Sequence, residues 1–176
     1  MATISQCCNM AICAAGIESE DEKNKIMSPK GVLEHIINFF TAGGIRRANE
    51  RLYTKLCQSL SDNLTKESLG MLDLMPDSLT LHDIDGYSVS FFLPKANNNT
   101  GTVTVEVHKC TGKGKDSEYA KGEIRLLDYM EKCCKVILSQ SDLLDPETKQ
   151  KLIYGATYEL EQEIIYDIAP EHRVTL

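Results

Sequence analysis

The chain has 176 residues, with 26 acidic against 19 basic side chains, a formal net charge of −7, and apolar and charged fractions of 42% and 26%. That length suits one domain with a real core, and the composition is that of a globular chain. The acidic balance argues against general nucleic-acid binding, and no apolar run approaches the roughly 20 residues that span a bilayer.

Residues 1–27 read as an arm and linker ahead of a single domain over residues 28–176. The N-terminus lacks the basic and apolar regions of a Sec signal. Its Ser, Thr, Ile and Gln content is compatible with a type III secretion signal. Position 2 is not Gly and no CaaX box ends the chain, so two lipidation motifs are missing. Residues 7–15 are mildly apolar and suit a short helix. The Cys7-Cys8 pair is either a host acylation site or part of an unmodified tail. Residues 18–25 are a dense charge run, expected as a solvated linker.

Residues 28–63 read as a helical hairpin. Ser28 is expected to cap its first helix, with Pro29 at the first helical position. Leu33, Ile36, Ile37 and Phe40 then recur at helical spacing on one apolar face. Gly43 and Gly44 end that helix, because glycine accepts the left-handed geometry of a C-terminal cap. Arg46, Arg47, Arg51 and Lys55 fall in the second helix and concentrate positive charge. Residues 64–77 carry Gly70 and Pro76 and read as a connection.

The hydrophobic period then switches to two. Leu79 to Asp83 reads as a first strand. Val89, Phe91 and Leu93 alternate with polar residues in a second, and Val103, Val105 and Val107 in a third. A three-residue turn is predicted, pairing Asp83 with Tyr87 and placing Gly86 left-handed in a bulge, because it sets Leu79 and Leu81 on the face of Val89 and Phe91. A two-residue loop would put His82 there instead. Residues 96–101 make a looser turn, residues 112–121 a charged loop, and residues 122–126 a fourth strand. Asp128 is expected to cap a helix over residues 129–140. Asp145-Pro146 starts another, with Ile153, Thr157, Leu160, Ile164 and Ile168 on one stripe and Gly155 as a point of bending. The fold class is α+β: an N-terminal helical hairpin, a four-stranded antiparallel meander and two C-terminal helices. One sheet face is covered and the other at least partly wet.

The string Ser28-Pro29-Lys30, Ile36 to Thr41, Gly43 to Arg47 and Asn49-Glu50 resembles the PipB family of bacterial type III secretion effectors. Asp83 to Gly86, Leu93-Pro94 and Asn97 to Asn99 resemble the same N-terminal domain at similar spacing. The resemblance covers roughly residues 28–140. That family continues into pentapeptide repeats, whereas nothing after Ser141 here has a five-residue period. The resemblance implies a protein injected through a type III secretion apparatus into the host cytoplasm. There it settles on host endomembranes, the pathogen-containing vacuole included. Its partners would be host endomembrane lipids or a host membrane protein. Residues 25–44 also resemble the SteA effectors, through Lys30 to Leu33 and Phe40 to Gly43. That likeness implies phosphoinositide binding, with a phosphate contact at Lys30.

The candidate lipid- or phosphate-binding residues are Lys30, Arg46, Arg47 and Arg51. Lys30 is expected in a first helical turn, where free N–H groups favour an anion, and Arg46 and Arg47 open the next helix with guanidinium forks suited to phosphate. The competing reading is a solvated face, with Glu50 placed to pair with Arg46. The Phe39-Phe40 pair admits a membrane wedge or a core role, and its spacing with Ile36 and Ile37 favours the core for Phe40. Phe92, on the second sheet face, would mark a partner surface if uncovered. The seven cysteines form no CxxC, so neither a zinc site nor a disulfide framework is expected; Cys133 and Cys134 read as core. A cysteine enzyme would combine Cys57 or Cys110 with His35, His82, His108 or His172, but no nucleophile signature flanks either thiol. No catalytic residue, metal or cofactor is assigned. Besides membrane docking, an adaptor or secretion chaperone without lipid affinity stays open. The C-terminal Val174 to Leu176 would suit a PDZ groove only by its apolar spacing.

Overall fold

The computed structural model describes residues 3–16, 19–64, 78–94, 101–110, 119–140 and 144–168; within these, the side chains of residues 37, 156, 159–161 and 163–168 lie outside the description. The order is α1 (Ile4–Ala15), α2 (Glu20–Met27), α3 (Val32–Phe40), α4 (Gly44–Asn63), β1 (Ser78–Ile84), β2 (Tyr87–Phe92), β3 (Thr102–Lys109), β4 (Tyr119–Arg125), α5 (Leu126–Ser139) and α6 (Pro146–Ile168). The strands form one antiparallel meander in sequence order. The fold is α+β, as the alternation of periods predicts.

The hairpin keeps the predicted strand register but not the predicted three-residue turn. Leu79 faces Phe91 and Leu81 faces Val89, the register of the three-residue turn. The closing pair is nevertheless Ile84 with Tyr87, around a two-residue Asp85-Gly86 turn. Both turn residues have positive φ, 53° and 86°, which is type I′ geometry. The extra residue is absorbed upstream, where Asp83 sits at φ 57° in a bulge between Leu81 and Ile84. Lys55 pairs with Asp85 and ties α4 to this turn.

The largest departure from expectation is at the N-terminus. Residues 4–15, expected within an arm, form a helix that lies in the core against α4, β2, β3, β4 and α5. Thr3 caps it in a reciprocal box with Gln6. Cys7, Met10, Ala11 and Ala15 are wholly buried, beneath Val89, Val103, Val105 and Val107 of the sheet. Small side chains let this helix approach closely. A Cβ built on Gly122 would lie 2.4 Å from Cδ1 of Ile12, so a larger residue on β4 would make that side chain move. Cys7-Cys8 is therefore neither an exposed acylation site nor part of a tail. The charge run is not a linker either, since Ser19 caps a regular α2 with acidic residues in its first turn.

The second sheet face is polar and half-buried, carrying Thr104, Glu106 and His108. Phe92 there is also half-buried. The fourth strand begins earlier than expected, at Tyr119, and α5 begins at Leu126, with Asp128 paired to Arg125 in its first turn. Asp145 accepts from the Thr148 N–H at 3.0 Å and caps α6, which runs unbroken through Gly155 and packs on α5. On its stripe, Thr157 is buried and Ile153 half-buried. Of the connections expected at residues 64–77, 96–101 and 112–121, residues 65–77, 96–100 and 112–118 fall outside the described residues, as do His172 and the C-terminal Val174 to Leu176.

Candidate functional site

Helix α3 inverts the usual logic of an amphipathic helix. At 100° per residue, Val32, Leu33, Ile36, Phe39 and Phe40 share one arc, and Glu34, His35 and Asn38 the other. The apolar arc faces outward: Phe39 is 81% exposed, Phe40 80%, Val32 80% and Leu33 69%. Among the described side chains of α3, the half-buried ones are the polar Glu34 and Asn38. The core role expected for Phe40 is thus corrected. Spacing defines which residues share a face, but here α4 packs against the polar one. The two rings meet edge to face at 5.7 Å, forming one exposed aromatic unit.

Hydrogen bonds fix the inversion. The Asn38 side-chain oxygen accepts from the Arg46 N–H at 3.3 Å, and its carbonyl from the Gly43 N–H at 2.7 Å. Gly43 takes φ 84°, the left-handed stop expected of it, and Thr41 Oγ1 accepts from the Gly44 N–H. The start of α3 is later than expected. Ser28 closes α2, bonding to the Asn24 carbonyl, and does not cap α3. Buried Asn49 donates to the Met27 carbonyl at 3.1 Å and anchors this corner to α4.

The four candidate cations therefore do not form one phosphate cradle. Lys30 precedes α3, and its backbone N–H already donates to the Glu34 carboxylate at 2.7 Å. Arg46 pairs with Glu50 at 2.9 Å and reaches Asn24, which is the pairing the competing reading requires. Arg47 donates to the carbonyls of Thr41 and Ala42, closing the end of α3. Arg51 is exposed on α4. Lys30 and the arginines flank a nine-residue helix about 13 Å long, one at its start and three beyond its end.

Lys30 instead belongs to a cleft that the sequence did not reveal. This cleft of about 500 Å³ lies where α1, α2, β4 and the start of α5 converge. Ile12, Ile26 and Ile124 contribute an apolar floor, and Lys25, Lys30 and Arg125 bring positive charge to it. Its volume lies in the range of small-ligand sites. Its residues come from segments a hundred positions apart, so no local motif marks it.

The thiols offer little chemistry. Cys7, Cys8, Cys13, Cys133 and Cys134 are buried, and burial pushes Cys7 and Cys133 from the usual 9.0 up to about 12. Such thiols stay protonated and unreactive. Cys110 is exposed, but the imidazole of the neighbouring His108 turns to Glu106 at 3.7 Å and stacks on Tyr119 at 4.9 Å. No group of three His, Cys, Asp or Glu side chains among the described residues is arranged to hold a metal. No described helix is long and apolar enough to cross a membrane.

Comparison with known proteins finds sequence similarity to secreted effectors. The family described as "Secreted effector protein PipB2, N-terminal domain" matches residues 26–139. "Secreted effector protein PipB2" of Salmonella typhi is 38% identical over 138 residues, which are 78% of this chain and 37% of that protein. The PipB2 protein of Salmonella typhimurium gives the same figures. "Secreted effector protein PipB" of Salmonella typhimurium is 32% identical over 124 residues, 68% of this chain and 42% of that protein. The chain thus spans about two-fifths of the length of the curated relatives it matches. No solved structure matches it.

Proposed function

The chain belongs to the PipB2 N-terminal domain family, and on that premise we propose that it is a secreted, non-enzymatic effector module that docks on host endomembranes through α3. The observation that carries this reading is the outward apolar arc of α3, with its polar arc held against α4. A helix placed in this way suits the interfacial zone of a bilayer, with its rings among the acyl chains and cations at the head-group level. Lys30 at one end, and Arg46, Arg47 and Arg51 beyond the other, would supply that cationic border in a chain that is otherwise acidic. Anionic lipid, phosphoinositide included, is the occupant that matches both the apolar arc and the charge. Host endomembrane, the pathogen-containing vacuole among them, is the destination that the family likeness suggests.

Sedimentation with anionic vesicles tests this reading, with a Phe39→Ser/Phe40→Ser variant beside the parent chain. Rings of this kind bury about 150–250 Å² each, and at about 25 cal/mol per Å² half-insertion of the pair is worth roughly 4–6 kcal/mol. The variant should bind on the order of 10³–10⁴-fold more weakly. Raised salt should weaken the parent as well. Equal binding by both proteins would dismiss α3 as the contact. A parent that ignores vesicles but self-associates through α3 would assign the face to a second copy.

A further inference from the structure

The two edge strands of the sheet differ. β1 is interrupted by the Asp83 bulge and tied to α4 through Lys55 and Asp85, features that blunt an edge. β4 is regular, and all seven of its residues pair in unbroken register with β3. Just beyond it the Leu126 N–H donates to the Gly101 carbonyl at 3.0 Å, which fixes the phase of that ladder. Bonded and non-bonded pairs alternate in an antiparallel ladder, so Ala120, Gly122 and Ile124 bond to β3. Tyr119, Lys121, Glu123 and Arg125 turn their N–H and C=O groups to the other side, and their side chains are exposed. Among the described residues, Lys121 and Glu123 have no ion pair or side-chain hydrogen bond. On the opposite face Gly122 and Ile124 lie against Ile12 and Gly16 at the end of α1.

We infer that β4 pairs with β4 of a second copy of this chain, antiparallel about a two-fold axis at Gly122, joining two four-stranded sheets into one. The strand reads Tyr-Ala-Lys-Gly-Glu-Ile-Arg, and reversal about its central glycine makes it complementary to itself. Lys121 comes opposite Glu123 of the second copy, and Glu123 opposite Lys121, so opposite charges meet twice. Ala120 comes opposite Ile124 on the apolar face. Gly122 meets itself at a non-hydrogen-bonded position, where paired strands approach most closely, about 4.5 Å between Cα atoms. The outward backbone groups sit on alternate residues, so the register can slip only by two. A slip one way sets Lys121 against Lys121, and the other way Glu123 against Glu123. Like charges directly opposite destabilise, so charge selects the central register. The contact uses the same patch on both copies and therefore closes as a dimer.

Sedimentation equilibrium of the full chain over a concentration series tests this pairing, and the parent should form a dimer. Lys121→Glu and Glu123→Lys each set like charges opposite at two symmetric positions and should weaken the dimer about tenfold or more. Mixed in equal amounts, the two single variants regain opposite charges at both positions and should associate about as well as the parent. The double variant Lys121→Glu/Glu123→Lys should do the same. Both positions are exposed, so thermal midpoints should stay near the parent's and separate lost pairing from lost folding. The Phe39→Ser/Phe40→Ser variant should dimerise like the parent, which keeps this result independent of membrane docking. A parent that stays monomeric at millimolar concentration would overturn the proposal. So would single variants that dimerise as the parent does, or a mixture that fails to recover. A dimer lost in the Phe39→Ser/Phe40→Ser variant and indifferent to both charge changes would also overturn it, moving self-association to α3.

Discussion

Truncating Met10 to Ala tests whether the first helix holds the domain together. Met10 is wholly buried in α1, between the sheet and α4. The substitution removes Cγ, Sδ and Cε, worth about 0.8 kcal/mol per methylene-sized group, or roughly 2.4 kcal/mol in transfer alone. Incomplete collapse around the void adds to that, so a loss of about 3–4 kcal/mol is expected, within the range for Met→Ala in cores. For a chain of this size each kcal/mol lowers Tm by roughly 2–4 °C, so a fall of about 6–16 °C should appear in urea and thermal unfolding. Asn9→Ala is the matched control. Asn9 is the exposed neighbour on the same helix, and alanine there should be neutral or slightly stabilising. If residues 1–27 were an arm, both variants would unfold with the parent. A Met10→Ala variant within about 0.5 kcal/mol of the parent would refute the burial of α1.

The same structure constrains other measurements. Asn49→Ala leaves the Met27 carbonyl without its buried donor and should cost about 1–3 kcal/mol in urea unfolding, with faster proteolysis near residue 28. Thiol labelling followed by mass spectrometry should modify Cys110 first, while Cys7 and Cys133 react only under denaturant. Those two thiols also set an alkaline limit. They ionise near 9 when unfolded but near 12 in the fold, so the unfolded chain loses protons first and stability should fall as pH rises from 9 toward 12. Unfolding midpoints that stay flat over that window would contradict the burial of both. The Phe39→Ser/Phe40→Ser variant should unfold within about 0.5 kcal/mol of its parent, since both rings are already in water.

Periodicity made most of the architecture legible. Alternation placed the strands, and placing Leu79 and Leu81 opposite Phe91 and Val89 gave the correct register. It did not show that Asp83 would take the left-handed bulge, because an aspartate at positive φ has no sequence mark beyond being permitted there. Helix α1 was understated for a different reason. Much of its buried face is Cys and Ala, whose small surfaces give a weak hydrophobic signal although the helix lies in the core. In α3 the apolar face was correctly drawn and its surroundings were not. Spacing carries no information about which neighbour arrives, and Asn38 and Glu34 bonded to the adjacent backbone on the polar side. For the candidate site, Lys30 was legible as a position of interest, but its companions Lys25, Glu22, Glu123 and Arg125 come together only through the tertiary fold.

The chain has no tryptophan, which permits one decisive measurement. A Phe39→Trp variant places a sole tryptophan on the exposed arc of α3. On titration with vesicles containing anionic lipid, its emission should shift to the blue and become shielded from an aqueous quencher. The Phe40→Ser change in the same background should diminish both effects. Emission that stays water-like while the protein sediments with the vesicles would show that α3 remains in solvent, contradicting its role as the docking element.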